Sequence, residues 1–168
     1  MMQVEAERRI LFVCTGNTCR SPMAAALFNW ISPLPGWCAE SAGISAFSGE
    51  PASQLAAAAL QIGYGVDLGG HRSRPVSAKL LNQAELILTM TPAQRDILRR
   101  AFPEASDRIM TAGEMADEPG RPVPDPFGQT LAVYQETAAL LASLIEKIIG
   151  KLRSIYDPGE RQNGSGSL

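Results

Sequence analysis

The segment ILFVCTGNTCRSPM, residues Ile10 to Met23, decides how the rest of the chain is interpreted. Its four leading apolar residues predict a short buried strand, and the turn-like residues after them predict a tight loop. Ser21 and Pro22 then favour a helix start, with Ser21 as the N-cap and Pro22 in the first helical position. A loop between a strand and a helix N-terminus directs backbone amides at one point, so the segment predicts an anion site.

The side chains of this loop indicate what is done to the anion. Cys14 leaves the strand at the mouth of the site, where the positive end of the helix favours a thiolate. Arg20 closes the loop, and its planar guanidinium can hold two oxygens of a phosphate-like group. Gly16 and Asn17 suit the unusual backbone angles of a tight loop. A sulfur nucleophile, converging amides and a guanidinium predict attack on phosphorus, and Ser21 can hydrogen-bond the thiolate.

The same segment has two alternative interpretations. In the first, the loop is a structural turn that buries Cys14 and leaves Arg20 in solvent. In the second, the loop binds a nucleotide, but such loops end in Gly-Lys-Ser or Gly-Lys-Thr, which the segment lacks. The order of strand, loop and helix start favours the anion site over both.

The composition is that of a single globular domain. The chain has 168 residues, 45% of them apolar, which suits one domain with a sizeable core. A net charge of −2 gives no indication of a nucleic-acid or membrane partner, and no apolar run approaches the ~20 residues that span a bilayer. Three cysteines, without a signal-peptide pattern, favour a reducing cytoplasm. One histidine and the absence of a Cys-x-x-Cys pair argue against a metal site.

Strand and helix patterns alternate along the chain. Strands are predicted at 10–13, 37–41, 86–90 and 108–111, and helices at 21–31, 51–62, 77–82, 92–102 and 130–152. Residues 113–124 predict a loop without helical or strand period. This order predicts an α/β fold, a single-domain open parallel sheet with helices on both faces. Ligands of such sheets lie at the carboxyl ends of the strands, where Cys14 is expected.

The predicted chemistry also needs a proton donor, because the leaving group departs more easily when it is protonated. Asp125 is the candidate, since prolines on both sides restrict its backbone, and the same carboxylate can later activate water. The alternatives are that Asp125 only caps the final helix or lies in solvent, and that Asp117 or Glu118 is the acid. Phe127 is a candidate wall of the substrate cleft. Phe47 is another, or else a partly exposed packing residue.

The stretch CTGNTCRSP, residues 14–22, resembles the signature of the low-molecular-weight protein tyrosine phosphatase family. The likeness extends to residues 41–43, 71–75 and 125–128, and covers residues 9–152, which are expected to form the phosphatase domain between flexible termini at 1–8 and 153–168. The resemblance implies a flavodoxin-like sheet of four parallel strands, the phosphotyrosine phosphatase I-like fold, without a metal or organic cofactor. It implies hydrolysis of phosphorylated proteins or peptides through a phosphocysteine intermediate, with inorganic phosphate and other oxyanions as inhibitors.

The resemblance also implies a role for each matching residue. Cys14 is the nucleophile, Arg20 the phosphate clamp and Asp125 the general acid. The phosphate-binding loop comprises Thr15, Gly16, Asn17, Thr18 and Cys19. The polar network that shapes the loop comprises Asn17, Ser21, Ser41 and His71. Cys19 is the partner of a reversible disulfide with Cys14, or else a small buried apolar residue.

Thr18 separates two branches of this family. Many of its tyrosine phosphatases have a branched aliphatic residue there, whereas bacterial members resembling protein arginine phosphatases have threonine and a later Asp-Pro-Phe-Gly, as here. A hydroxyl at Thr18 can orient water or the phosphoramidate, and Asp125 can pair with a guanidinium in bidentate fashion. The sequence therefore favours phosphoarginine as the substrate residue, with phosphotyrosine as the alternative.

Two further functions are compatible with the loop. Arsenate reductases share the fold and the loop, but they relay electrons through additional cysteines near the middle of the chain, and residues 72–100 contain none. A non-catalytic phosphate-binding module needs the loop but no acid.

Overall fold

The computed structural model describes residues 7–32 and 34–156. Within these ranges Arg8 already belongs to a strand, and the final helix continues past Leu152 to Tyr156. The remaining parts of the expected flexible termini, residues 1–6 and 157–168, lie outside the described residues. None of the helices in the described part of the chain is long and apolar enough to cross a bilayer.

Four strands and six α-helices alternate along the described chain. They are β1 (Arg8–Cys14), α1 (Arg20–Ile31), β2 (Trp37–Gly43), α2 (Gln54–Tyr64), α3 (Ala78–Gln83), β3 (Leu86–Thr89), α4 (Pro92–Ala101), β4 (Ile109–Thr111), α5 (Ala112–Met115) and α6 (Leu131–Tyr156), with a 3₁₀ helix at Pro103–Arg108. All strand pairs are parallel, in the order β2-β1-β3-β4. The predicted four-stranded parallel α/β sheet is confirmed.

The core lies on both faces of the sheet, and strand β1 shows how. Ile10 and Phe12 pack on one face with residues of α1, α2 and α6. Leu11 and Val13 pack on the other face with residues of α3 and α4. All four side chains are at most 1% exposed, and each such burial contributes ~1.5–3 kcal/mol. A strand buried on both faces is a continuous apolar run, as the sequence has it, and the residue at its carboxyl end, Cys14, takes a defined position.

The strand order places Cys14 at the point where the chain changes direction across the sheet. After β1 the chain continues to β2 on one side, and β3 lies on the other. The crevice for ligands in this type of sheet lies at the carboxyl end of the strand from which the order diverges. In the observed register Cys14 pairs with Gly43 at the end of β2, so the ends of β1 and β2 are level.

At both edges of the sheet, side chains form hydrogen bonds with the backbone groups that face away from the neighbouring strand. On β2, the Asn29 amide donates to the Ala39 carbonyl oxygen at 3.0 Å and accepts from the Ala39 N–H at 2.8 Å. Arg74 Nε donates to the Ser41 carbonyl oxygen at 3.0 Å. On β4, Arg99 donates twice to the carbonyl oxygen of the first strand residue, at 3.0 and 2.6 Å. These contacts satisfy backbone groups that an edge strand otherwise leaves open.

The predicted loop over 113–124 is wrong at its start, because the structure has helix α5 there. A capping box forms this helix: Thr111 accepts from the Glu114 N–H at 2.9 Å, and Glu114 Oε1 accepts from the Thr111 N–H at 3.3 Å. Gly113 lies inside it, where an added Cβ would come within 2.6 Å of the carbonyl oxygens of Glu118 and Arg121. The Thr-x-x-Glu pattern was the available signal, and it is weaker than helical periodicity in so short a segment.

Candidate active site

The loop between β1 and α1 opens onto a cavity of about 220 Å³, lined by residues 14–20 together with Asp125 and Phe127. Cys14 lies at its base with 3% of its surface exposed. The sulfur accepts a hydrogen bond from the Asn17 N–H at 3.3 Å and lies 2.9 Å from Ser21 Oγ. Both groups can donate to a sulfur anion, as the sequence predicts for Ser21.

Ser21 is not the N-cap of α1, contrary to the prediction. The helix begins at Arg20, and Cys19 occupies the N-cap position without a side-chain capping bond. The Ser21 hydroxyl is instead fully buried and contacts Cys14 and Asn17. The loop therefore takes the hydroxyl that a helix cap would otherwise use.

Asn17 determines the shape of the loop. Its φ is 57°, so the left-handed conformation falls on Asn17, whereas Gly16 does not have a positive φ and has room for a Cβ. The Asn17 amide nitrogen donates to Ser21 Oγ at 2.8 Å and Ser41 Oγ at 3.0 Å, and its Oδ1 accepts from the Arg74 N–H at 3.0 Å. Every polar atom of this buried side chain is therefore satisfied.

His71 forms a hydrogen bond with the backbone of Asn17. Its Nε2 lies 2.7 Å from the Asn17 carbonyl oxygen, and since a carbonyl can only accept, Nε2 carries the hydrogen. Burial lowers the pKa of His71, and the nearby positive charges of Arg72 and Arg74 lower it further, although the bond to Asn17 opposes them. The imidazole is therefore neutral at pH 7 and acts as a donor to the loop. Asn17, Ser21, Ser41 and His71 are thus brought together.

Arg20 lies almost completely buried, with 5% of its surface exposed. One guanidinium nitrogen donates to the Val123 carbonyl oxygen at 3.0 Å, and the other lies 3.7 Å from Asp125 Oδ2. Asp125 remains 56% exposed at the cavity rim. Its other carboxylate oxygen accepts from the Phe127 N–H at 3.1 Å, so it caps a local turn rather than α6, which begins at Leu131.

The two competing carboxylates point elsewhere. Asp117 pairs with Lys151 at 2.7 Å, and Glu118 pairs with Lys147 at 3.2 Å. Both lysines belong to α6, and neither carboxylate lines the cavity of the Cys14 loop. Of the three acids considered from the sequence, Asp125 is the one that the fold brings to this cavity.

The two candidate aromatic walls differ in position. Phe127 lines the cavity and is 74% exposed, so its ring is available to a bound group. Phe47 is 80% exposed but does not line the cavity. Its carbonyl oxygen accepts a bond from Ser73 Oγ, which fixes the segment that carries it.

Cys19 lies on the inner side of the loop and is 5% exposed. Its sulfur lies 3.4 Å from both Ser53 Oγ and Tyr134 Oη. Burial raises the pKa of Tyr134, and the contact with Cys19 raises it further. All three cysteines of the chain are free thiols. Within residues 7–32 and 34–156, no three His, Cys, Asp or Glu side chains come together as ligands for a metal ion.

The sequence over residues 9–156 matches the family described as "Low molecular weight phosphotyrosine protein phosphatase". The chain belongs to this family. A Geobacillus stearothermophilus protein named "Protein-arginine-phosphatase" is 39% identical over 146 residues, which is 87% of this chain and 97% of the relative.

Solved structures agree with this assignment. The low molecular weight protein tyrosine phosphatase from T. tengcongensis has a TM-score of 0.83 and 43% identity, covering 87% of this chain and 100% of its own. A YwlE arginine phosphatase, determined as a cysteine-to-serine mutant with a phosphorylated active-site serine, has a TM-score of 0.81 and 33% identity, covering 92% of this chain and 98% of its own.

Several residues that shape this phosphatase site were missed from the sequence. Ser53 and Tyr134 contact Cys19, Val123 holds Arg20, and Gln94 donates to Thr15 Oγ1 at 3.1 Å. All come from segments far along the chain, so local patterns gave no indication of these contacts. The helix predicted at 92–102 is present as α4, but the sequence did not indicate that Gln94 in its first turn reaches the loop.

Gly43 provides a direct test of how tightly the phosphatase loop is packed. A Cβ at Gly43 would lie 2.7 Å from the Thr15 carbonyl oxygen and 3.0 Å from Asn17 Cβ. We expect Gly43→Ala to displace the loop, to cost about 1–3 kcal/mol of stability and to weaken binding of inorganic phosphate about tenfold. Urea denaturation and phosphate titration measure both effects.

The matched control is Gly63→Ala, because Gly63 lies in α2 with nothing within 4 Å of its added Cβ. We expect this variant to be at least as stable as the parent, since alanine favours a helix, and to bind phosphate equally well. Phosphate binding by Gly43→Ala at the parent's strength would contradict the described packing.

Proposed function

We propose that this chain hydrolyses phosphorylated side chains of proteins through a phosphocysteine intermediate, with phosphoarginine as the preferred substrate. The observation that supports it most is the placement of the Cys14 sulfur at the base of a 220 Å³ cavity that Arg20 and Asp125 share. A nucleophile, an anion clamp and a proton donor around one small cavity are the groups that phosphoryl transfer needs. A phosphate-binding module has no use for Asp125.

The proposed reaction has two steps. In the first, the Cys14 thiolate attacks phosphorus, the S–P bond forms and the bond from phosphorus to the leaving nitrogen or oxygen breaks. Protonated Asp125 gives its proton to the leaving atom. In the second step, Asp125 as carboxylate takes a proton from water, the resulting hydroxide attacks phosphorus and the S–P bond breaks. Inorganic phosphate leaves, the thiolate returns and Asp125 is protonated again.

Arg20 and the loop amides stabilise the charge that develops on the phosphoryl oxygens. In the structure Asp125 neutralises part of the Arg20 charge across 3.7 Å. A phosphoryl group that enters the cavity provides the guanidinium with a bidentate partner instead. Asp125 is then free to face the leaving group, and its exposure at the rim allows that movement.

Phosphoarginine is favoured by the residues that face its two distinctive parts. Thr18 lies in the loop that lines the cavity, and its hydroxyl can orient water or the phosphoramidate. Asp125 at the rim can pair with the guanidinium of the substrate. The Geobacillus relative is named an arginine phosphatase. The phosphorylated serine in the YwlE mutant supports covalent transfer to the residue at the position of the nucleophile.

Phosphotyrosine is the second candidate substrate. The T. tengcongensis protein, at 43% identity, is described as a tyrosine phosphatase. The exposed ring of Phe127 at the cavity can stack on a phenyl group. For either substrate we propose a cytoplasmic enzyme without a nucleic-acid or membrane partner, inhibited by phosphate and related oxyanions.

Replacing the proposed nucleophile tests the reaction class. We expect Cys14→Ser to lose hydrolysis of aryl phosphates while it still binds vanadate or phosphate, because the amides and Arg20 remain. Incubated with a phosphoarginine peptide, it should gain one phosphoryl group on residue 14, which mass spectrometry detects. Cys38→Ser is the control, since Cys38 lies in β2 outside the cavity and burial raises its pKa to about 11. Unchanged turnover by Cys14→Ser would reject the mechanism.

The acid role of Asp125 predicts a dependence on the leaving group. We expect Asp125→Asn to lower kcat about 10²–10⁴-fold on substrates with poor leaving groups and much less on activated aryl phosphates, which depart without a proton. A series of aryl phosphates with graded phenol pKa measures this. Equal losses across the series would argue against proton donation by Asp125.

The substrate preference is tested at Thr18. We expect Thr18→Ile to shift the ratio of phosphoarginine to phosphotyrosine turnover toward phosphotyrosine, because an apolar ethyl group replaces the hydroxyl and can no longer orient water or the phosphoramidate. Rates on matched phosphoarginine and phosphotyrosine peptides give the ratio, and phosphoserine peptides serve as the negative control. A ratio that does not move would remove Thr18 as the basis for the preference.

A further inference from the structure

Gln94 makes more contacts than a helix cap requires. It is the third residue of α4 and is only 5% exposed. Its N–H donates to Thr91 Oγ1 at 3.2 Å, and its Oε1 accepts from the Thr91 N–H at 3.2 Å, which completes the capping box. The same Oε1 also accepts from the Met90 N–H at 3.0 Å. The side chain therefore holds the whole turn between β3 and α4.

The amide nitrogen of Gln94 then reaches the phosphate loop. Nε2 donates to Thr15 Oγ1 at 3.1 Å. Thr15 is exposed and directly follows Cys14 in the chain. Because the two residues share a peptide bond, a displacement of Thr15 also displaces the backbone that carries the Cys14 sulfur. This bond joins a buried anchor on α4 to the loop residue nearest to the proposed nucleophile.

The turn between β3 and α4 is also linked by hydrogen bonds to Arg20. The Met90 carbonyl oxygen accepts from the Val123 N–H at 2.9 Å, and the Val123 carbonyl oxygen accepts from the Arg20 guanidinium at 3.0 Å. Met90 and Val123 are 1% and 0% exposed, so these bonds are shielded from water. One turn of the backbone is thus bonded on one side to the loop of the sulfur and on the other to the guanidinium.

We propose that Gln94 is a positioning residue for phosphoryl transfer, which fixes Thr15, and with it the Cys14 sulfur, relative to Arg20. The proposal rests on the proposed function and adds a residue to it that does not touch the reacting atoms. Its physical basis is that in-line attack tolerates little displacement, since a shift of ~1 Å can cost about 10²-fold in rate.

Four variants separate positioning from stability. Gln94→Met keeps the approximate size and loses all the side-chain bonds of Gln94, whereas Thr15→Val removes only the Thr15 end of the link. The third is the double variant. Thr91→Ala is the matched control, because it removes the hydroxyl of the same capping box and leaves the bond from Gln94 to Thr15 in place.

We expect Gln94→Met and Thr15→Val each to lower kcat about tenfold and to raise the dissociation constant of inorganic phosphate about threefold, because the loop donors are displaced. The double variant should have the same kcat and phosphate dissociation constant as the less active single variant, since both changes break the same bond between Gln94 and Thr15. Thr91→Ala should lower the melting temperature as much as Gln94→Met does, with kcat and phosphate binding unchanged. Steady-state kinetics and calorimetric phosphate titration provide these values.

A purely structural Gln94 would give a different result. Reversible partial unfolding raises KM and the phosphate dissociation constant by the same factor and leaves kcat at saturating substrate unchanged, because ligand draws the chain into its folded state. Irreversible unfolding lowers kcat and the number of phosphate sites per chain equally. Either outcome overturns the proposal. Losses that multiply in the double variant overturn it as well. If the parent hydrolyses no phosphorylated peptide, the proposed function fails. The phosphate dissociation constants of the four variants, measured at a temperature where the melting curves show each of them fully folded, still decide whether Gln94 positions the loop.

Discussion

The phosphate loop depends on one buried asparagine held in a left-handed backbone conformation. A residue other than glycine in this conformation costs on the order of 1 kcal/mol, although asparagine tolerates it better than most. Asn17 donates hydrogen bonds to Ser21 and Ser41 and accepts them from His71 and the Arg74 backbone, and these bonds offset that cost at about 1 kcal/mol each. Because these partners come from four separate positions, the loop shape is a property of the folded sheet and not of its own sequence. In this conformation the Asn17 N–H donates a hydrogen bond to the Cys14 sulfur.

The second constraint is the buried guanidinium of Arg20. A charge with 5% exposure is costly unless it is paired and hydrogen-bonded. The Val123 carbonyl oxygen and the Asp125 carboxylate are the partners that the guanidinium has in the structure. The two contacts differ in kind: the carbonyl is fixed through Met90 to the end of β3, whereas the carboxylate sits at the exposed rim. One partner therefore holds the guanidinium in place, and in the proposed mechanism the other exchanges with an entering anion.

The sequence was informative where local physics decides the structure. The apolar run of β1, the loop and the alternating elements were predictable because periodicity and turn residues act over a few neighbours. Local reasoning failed where a side chain had two possible partners. Ser21 suits a helix cap by type, but the folded loop uses its hydroxyl for Cys14 and Asn17. The contacts of Gln94, Val123 and Tyr134 arise only when distant segments meet, so no pattern in the sequence indicates them.

The occupied edges of the sheet bear on how a protein substrate can be selected. Asn29 and Arg74 form hydrogen bonds with outward-facing backbone groups of β2, and Arg99 donates to an outward-facing carbonyl oxygen of β4. An extended polypeptide that adds itself as a fifth strand has to displace these side chains first. Main-chain pairing along the sheet is therefore a poor route to affinity for an extended protein segment.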